Sequence, residues 1–141
     1  MPYSQDELQI ILAACMPDLA AKTLTIRVVS NQESRALNST YRCIDKETNV
    51  LSFTYEPMSE HDDSNHLGDL AIAFDVVCLE AKEQDKEVVD HFVHMVIHGV
   101  LHLQGFDHEQ ADQAEVMEAQ EVRILSELGI PNPYLSLESR Q

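Results

Sequence analysis

Apolar residues recur along this chain with two alternating periods, about 3.6 and about 2 residues, and their order predicts its elements. Leu8, Ile11, Leu12 and Cys15 share one helical stripe, which predicts a helix from about Ser4 to Cys15 with Ser4 as its cap. Residues 23–29, T-L-T-I-R-V-V, point Leu24, Ile26 and Val28 inward against Thr25 and Arg27, as a strand does. Ser30-Asn31-Gln32-Glu33 has the capping-box pattern and opens a helix to about Tyr41. From Asn49 to Tyr55 almost every residue is apolar or β-forming, which gives a second strand, and Leu70 to Phe74 gives a third. Between them Glu56 to His66 is polar and acidic with Pro57, and reads as a loop whose His61 and His66 are solvated. Asp75 is placed to cap a helix through about Lys86. A helix rich in histidine and apolar residues follows, from about Glu87 to Gln104. The last, about Glu109 to Leu128, is stopped by Gly129, Pro131 and Pro133.

Strands interleaved with helices indicate an α/β (α+β) protein. The expectation is a single small domain over residues 1–141, a mixed sheet of about three to four strands packed with about five helices. No internal repeat, low-complexity tract or domain boundary interrupts it. At 141 residues the chain can bury a core without disulfide or metal staples, so a bound metal would serve function. Cys15, Cys43 and Cys78 form no C-x-x-C pair and read as reduced core thiols of a cytosolic protein. No basic segment leads into an apolar run at the start. No stretch approaches the roughly 18 apolar residues of a membrane span. A cytoplasmic location with no membrane partner is expected.

The net charge of −16 argues at first against nucleic acid, because phosphate binding is driven by lysine and arginine. The charge is uneven, however. Lys22, Arg27, Arg35, Arg42 and Lys46 face only Glu33, Asp45 and Glu47 between residues 22 and 47, a local +2, while the other 115 residues carry −18. A few arginines beside a dication can engage phosphates there while the acidic remainder repels polyanions elsewhere.

The chemistry concentrates at residues 98–108, H-G-V-L-H-L-Q-G-F-D-H, with three histidines at intervals of four and six. On a helix His98 and His102 project from one face a turn apart, so both imidazoles reach one ion. Gly105 supplies the left-handed turn that ends the helix and returns His108 as a third ligand. The metal site therefore sits on a central helix and the turn after it. Three neutral imidazoles suit one Zn2+ with a fourth position for water, the pattern of catalytic sites. Half-buried polar tips would be the bland alternative, and three histidines around a helix-ending glycine outweigh it.

The general base is less determined. The H-x-x-x-H-x-x-G-x-x-H spacing equals that of metzincin peptidases, but the glutamate they use after the first histidine is Gly99 here. Asp107 either orients His108 or accepts a proton, or else caps the helix that begins near Glu109. Glu121 lies in the stripe Ala114, Met117, Glu121, Ile124, Leu125 and Leu128, where a buried charge needs a partner. It is either a hydrogen-bond acceptor for a metal-bound histidine or a partly exposed carboxylate at the stripe's edge. His94 is one turn before His98 and reads as supporting or exposed rather than ligating, with a weaker case for His91. Met117 reads as core packing, and Asp69 as structural or substrate-facing.

The run 98–108, together with T-Y-R-C-I-D-K-E-T-N-V-L-S-F (40–53), L-G-D-L-A-I (67–72) and E-V-M-E-A-Q-E (115–121), resembles the YbeY family of bacterial metal-dependent endoribonucleases. The likeness extends from about Leu24 to Tyr134. It implies single-strand-specific RNA cleavage in ribosomal RNA processing, notably maturation of the small-subunit RNA 3′ end, and in ribosome quality control. It further implies zinc ligands at His98, His102 and His108, a functional arginine at Arg42, and the small ribosomal subunit with its assembly proteins as partners. Cys43 and Thr54 stand where the family usually has glycine and proline. Two other readings are a zinc hydrolase of another substrate, opposed by Gly99, and a non-catalytic assembly factor with a structural zinc.

Overall fold

A computed structural model of the chain describes residues 5–15, 22–55, 65–106 and 111–134. Its elements run α1 (Gln5–Cys15), β1 (Thr23–Val29), α2 (Asn31–Arg42), β2 (Val50–Thr54), β3 (His66–Ala73), α3 (Phe74–Glu83), α4 (Val88–Leu103) and α5 (Ala111–Glu127). The strand order is β1-β3-β2, with β1 and β3 parallel and β3 and β2 antiparallel. The expected α+β class, the mixed sheet and the five helices are all present among the described residues.

Side-chain alternation along β3 separates two apolar clusters, one on each face of the sheet. Leu70 and Ile72 point toward α4, α1 and α5 and join the main core. Ala71 and Ala73 point the other way and pack with Leu51, Val29 and Leu37 beneath α2. The sheet is thus sandwiched between α2 and a helical layer built around α4. That helix buries eleven of its sixteen residues, as a helix apolar on nearly all sides must. It touches α1, α3, α5, β2 and β3.

Local signals explain most element ends. The Ser30 side chain accepts from the Glu33 backbone N–H at 3.0 Å, the first half of the capping box. The Glu33 carboxylate does not return the bond; it pairs with Arg27 on β1. At the other end of α2, Cys43 adopts the left-handed conformation (φ 60°) and is exposed, so it is a helix-capping residue and not the core thiol expected. The segment after it is tied back by Arg35, which forks onto Asp45 at 2.7 and 3.0 Å, and by Asn38 and Ser34, which bond the backbone of Lys46 and Thr48. Cys15 is buried as expected, and burial pushes its thiol up to about 12.

Two boundaries differ from the sequence reading. The third strand begins at His66, not Leu70, because backbone pairing to both neighbours carries it through the polar Gly68-Asp69 step. The same extension moves His66 out of the solvated loop: its ring bonds Asp69 at 2.9 Å and Thr23 at 3.0 Å. At the strand's far end the chain turns straight into α3. Ala73 is the N-cap without a side-chain bond, and Asp75 sits inside the first turn, where it favours the helix dipole without capping it. Residues 56–64, including His61, lie outside the described residues.

Candidate metal centre

The two histidines a turn apart do share one face of α4. Their rings are 4.6 Å apart between centroids, and His98 Nε2 stands 3.1 Å from His102 Nε2. Two imidazole nitrogens on one tetrahedral zinc, each at 2.0–2.1 Å, stand about 3.3 Å apart. The pair therefore has the spacing a shared ion requires. α4 ends where Gly105 takes up a left-handed conformation (φ 98°), the role assigned to it. His108 and Asp107 lie outside the described residues. Among the described residues no three histidine, cysteine, aspartate or glutamate side chains form a metal-binding group.

Glu121 is 1 % exposed, so it is not the partly exposed carboxylate at the edge of the α5 stripe. It is held by three donors. His98 donates from Nδ1 to Oε1 at 2.8 Å, while His94 Nε2 and the Tyr134 hydroxyl both bond Oε2. The Glu121 bond fixes the Nδ1–H tautomer of His98 and leaves its Nε2 lone pair turned toward His102, the form a ligand needs. Burial pushes the Glu121 carboxyl up, but the hydrogen bonds from His94, His98 and Tyr134 together outweigh it and hold the pKa at about 2. Burial, reinforced by the Glu121 carboxylate, keeps the Tyr134 hydroxyl protonated far above its ordinary range.

His94 is thus a buried partner of Glu121. His91 is also buried and bonds Glu80 at 3.0 Å, and Glu80 in turn receives the Asn49 amide at 3.0 Å. This second polar network joins Asn49, just before β2, to α3 and α4, and burial lowers the pKa of His91 against the pull of Glu80. Met117 is fully buried core. The sequence reading missed Tyr134, Glu80 and Asn49, whose hydrogen bonds to Glu121, His91 and Glu80 span 11 to 31 residues of the chain.

Gly99, where a metzincin carries its glutamate, faces the sheet. A Cβ there would meet Leu70 Cδ2 at 2.7 Å and Val50 Cγ2 at 3.3 Å, and Ser52 donates to the Gly99 carbonyl at 3.3 Å. The position cannot present a base to the histidine face. Gly99→Glu drives a carboxylate into this apolar seam and is expected to destabilise the fold by more than about 4 kcal/mol, read by denaturant unfolding. A variant as stable as wild type would show that the seam opens.

Arg42 occupies the last turn of α2 and is exposed. α2 lies on the sheet face opposite α4, and among the described residues no hydrogen bond or ion pair joins Arg42 to His98, His102 or Glu121. Asp69, which bonds His66, is on the α2 side as well, beside Ala71 in the alternation of β3. The structure thus brings His98, His102, His94 and Glu121 together.

A sheet backed by a buried central helix, with a histidine pair steadied by a carboxylate from the next helix, defines a small α+β protein that carries a histidine–carboxylate cluster on its central helix. Similarity places it further. The family model for endoribonuclease YbeY matches residues 4–129, and the chain belongs to that family. Proteins called endoribonuclease YbeY from Halorhodospira halophila and Francisella tularensis subsp. holarctica are among its relatives. The first is 54% identical over 113 residues, covering 79% of this chain and 73% of the relative. The second is 43% identical over 141, covering 94% and 87%. A solved structure from Thermotoga maritima shares the fold, with a TM-score of 0.57 and 23% identity over 88% of this chain and 83% of that one.

Proposed function

We propose that this chain is a zinc-dependent endoribonuclease that hydrolyses single-stranded RNA, acting in the cytoplasm on ribosomal RNA at the small subunit, in 3′-end maturation and quality control. Family membership supports the endoribonuclease reading. The observation that carries the metal is the His98–His102 pair at 3.1 Å with His98 locked as the Nδ1–H tautomer by Glu121. Among the described residues no helix is long and apolar enough to cross a membrane.

A zinc ion held by His98, His102 and His108 would polarise a phosphoryl oxygen and lower the pKa of water. The chain's own residues do the rest. Glu121 fixes His98 and raises its basicity as a ligand. Tyr134 and His94 hold Glu121 ionised, so the histidine cannot rotate away. Arg42 offers a planar fork to a phosphate oxygen, which a lysine cannot do in two places at once. The excess carboxylates elsewhere keep polyanions from binding at random.

A structured RNA with unpaired tails tests the reading: the protein cuts the tails, spares the duplex, and stops when a chelator is added. Bound zinc without any cleavage would favour an assembly factor instead. Arg42→Ala is expected to lower cleavage tenfold or more with metal content unchanged, compared by kinetics and elemental analysis. Full activity in that variant would remove Arg42 from the machinery.

A further inference from the structure

The aromatic residue just before Arg42 is placed unusually for a folded domain. Tyr41 is 65 % exposed, yet its ring is not loose: it meets Phe53 of β2 at 5.1 Å between centroids and 70° between planes. The two rings border a groove of about 400 Å³ on the α2 side of the sheet, walled by Thr25, Arg27, Leu37 and Asp69. α2 covers only the end of this sheet face where Leu37 reaches Leu51, Ala71 and Ala73. The groove lies beside that contact, with Ala71 of β3 also in its lining.

We propose that this groove takes one unpaired base of the RNA substrate, stacked on the exposed Tyr41 ring with Phe53 as its backing; the proposal rests on the endoribonuclease reading and names a contact that would make it single-strand selective. Three observations favour a nucleic-acid base over a protein side chain. Four of the residues that line the groove, Thr25, Arg27, Leu37 and Tyr41, come from the segment with excess positive charge, residues 22–47 at +2 in a chain of −16. Arg27, paired with Glu33, lines the groove along with Asp69 and offers a guanidinium beside the platform where a backbone phosphate would run. A single T-shaped neighbour occupies at most one face of the Tyr41 ring, so the exposed ring keeps a face for stacking. A base inside a duplex has no free face to offer. Stacking here therefore selects unpaired RNA without reading its sequence.

The chain contains no tryptophan, so Tyr41→Trp places a sole reporter in the platform. Titrating that variant, zinc-loaded, with a phosphorothioate single-stranded oligoribonucleotide should quench its emission, and the same sequence as a blunt duplex should not. By fluorescence anisotropy, Tyr41→Ala should bind the single strand roughly tenfold or more weakly, while Tyr41→Phe, which keeps the ring, stays within about twofold of wild type. Thermal melting of each variant checks that the exposed position leaves the fold intact. Equal affinity for Tyr41→Ala and wild type, or equal quenching by duplex, overturns the platform while leaving RNA cleavage in place. A wild type that neither binds nor cuts the single strand overturns the endoribonuclease reading itself.

Discussion

His102→Ala is expected to abolish both zinc binding and RNA cleavage while leaving a folded protein. Wild type should carry about one zinc per chain by elemental mass spectrometry, the variant less than about a tenth of that, and tail cleavage should fall at least about a hundredfold. The reasoning is geometric. With one imidazole removed, one nitrogen is left of a two-nitrogen grip whose members stand 3.1 Å apart. His102 is only half-buried and its alanine leaves no large apolar void, so melting of the chelated proteins should differ little. A variant that keeps its zinc and its cleavage would remove His102 from the site. One that loses cleavage but keeps zinc would assign the histidine to substrate instead.

The second large effect is on the fold. Glu121→Ala removes a buried acceptor that satisfies three donors, taking a partner from His94, His98 and Tyr134 and leaving a void in the α4–α5 interface. The expected loss is about 3–5 kcal/mol, a melting drop of about 10 °C or more. Zinc affinity should fall a further 10- to 100-fold, roughly, because His98 is no longer oriented. Glu121→Gln keeps the volume but replaces one acceptor oxygen with a donor, and should lose less. The pH dependence has a definite sign. The folded carboxyl titrates at about 2 against an ordinary 4.5, so in the chelated protein its contribution is complete above about pH 4.5 and disappears as pH falls toward 2. The gap in denaturant midpoint between wild type and Glu121→Gln should narrow over that interval. A pH-independent gap would mean that the carboxylate's charge is not what the network uses.

Elements marked by strong local chemistry were legible in the sequence: the Ser30 cap, the β1 alternation, the i, i+4 histidines and the glycine that ends α4. Each depends on neighbours within one turn or one pleat, so a linear pattern carries it. The start of β3 and the role of Asp75 were not legible, because the polar Gly68-Asp69 step is made strand-like by pairing to Phe53 and Thr25, far away in the chain. Likewise His66 looked like a loop residue until the β3 extension gave it Asp69 and Thr23 as partners. Gly99 was readable as the absence of a peptidase base. That it is also a packing requirement, with Leu70 filling the space a Cβ would need, came only from the structure.

The sequence by itself determined the class of fold, the helix that carries the histidines, their spacing and the family, because these follow from periodicities and motifs written in consecutive residues. Tertiary structure alone decided which carboxylate supports the histidines, that Tyr134 and His94 complete its shell, and that Tyr41 packs on Phe53 on the α2 side of the sheet. The physical reason is the same in each case. A buried charge or an open aromatic face is defined by what surrounds it in space, and those neighbours come from elements 13 to 40 residues apart in the Glu121 cluster.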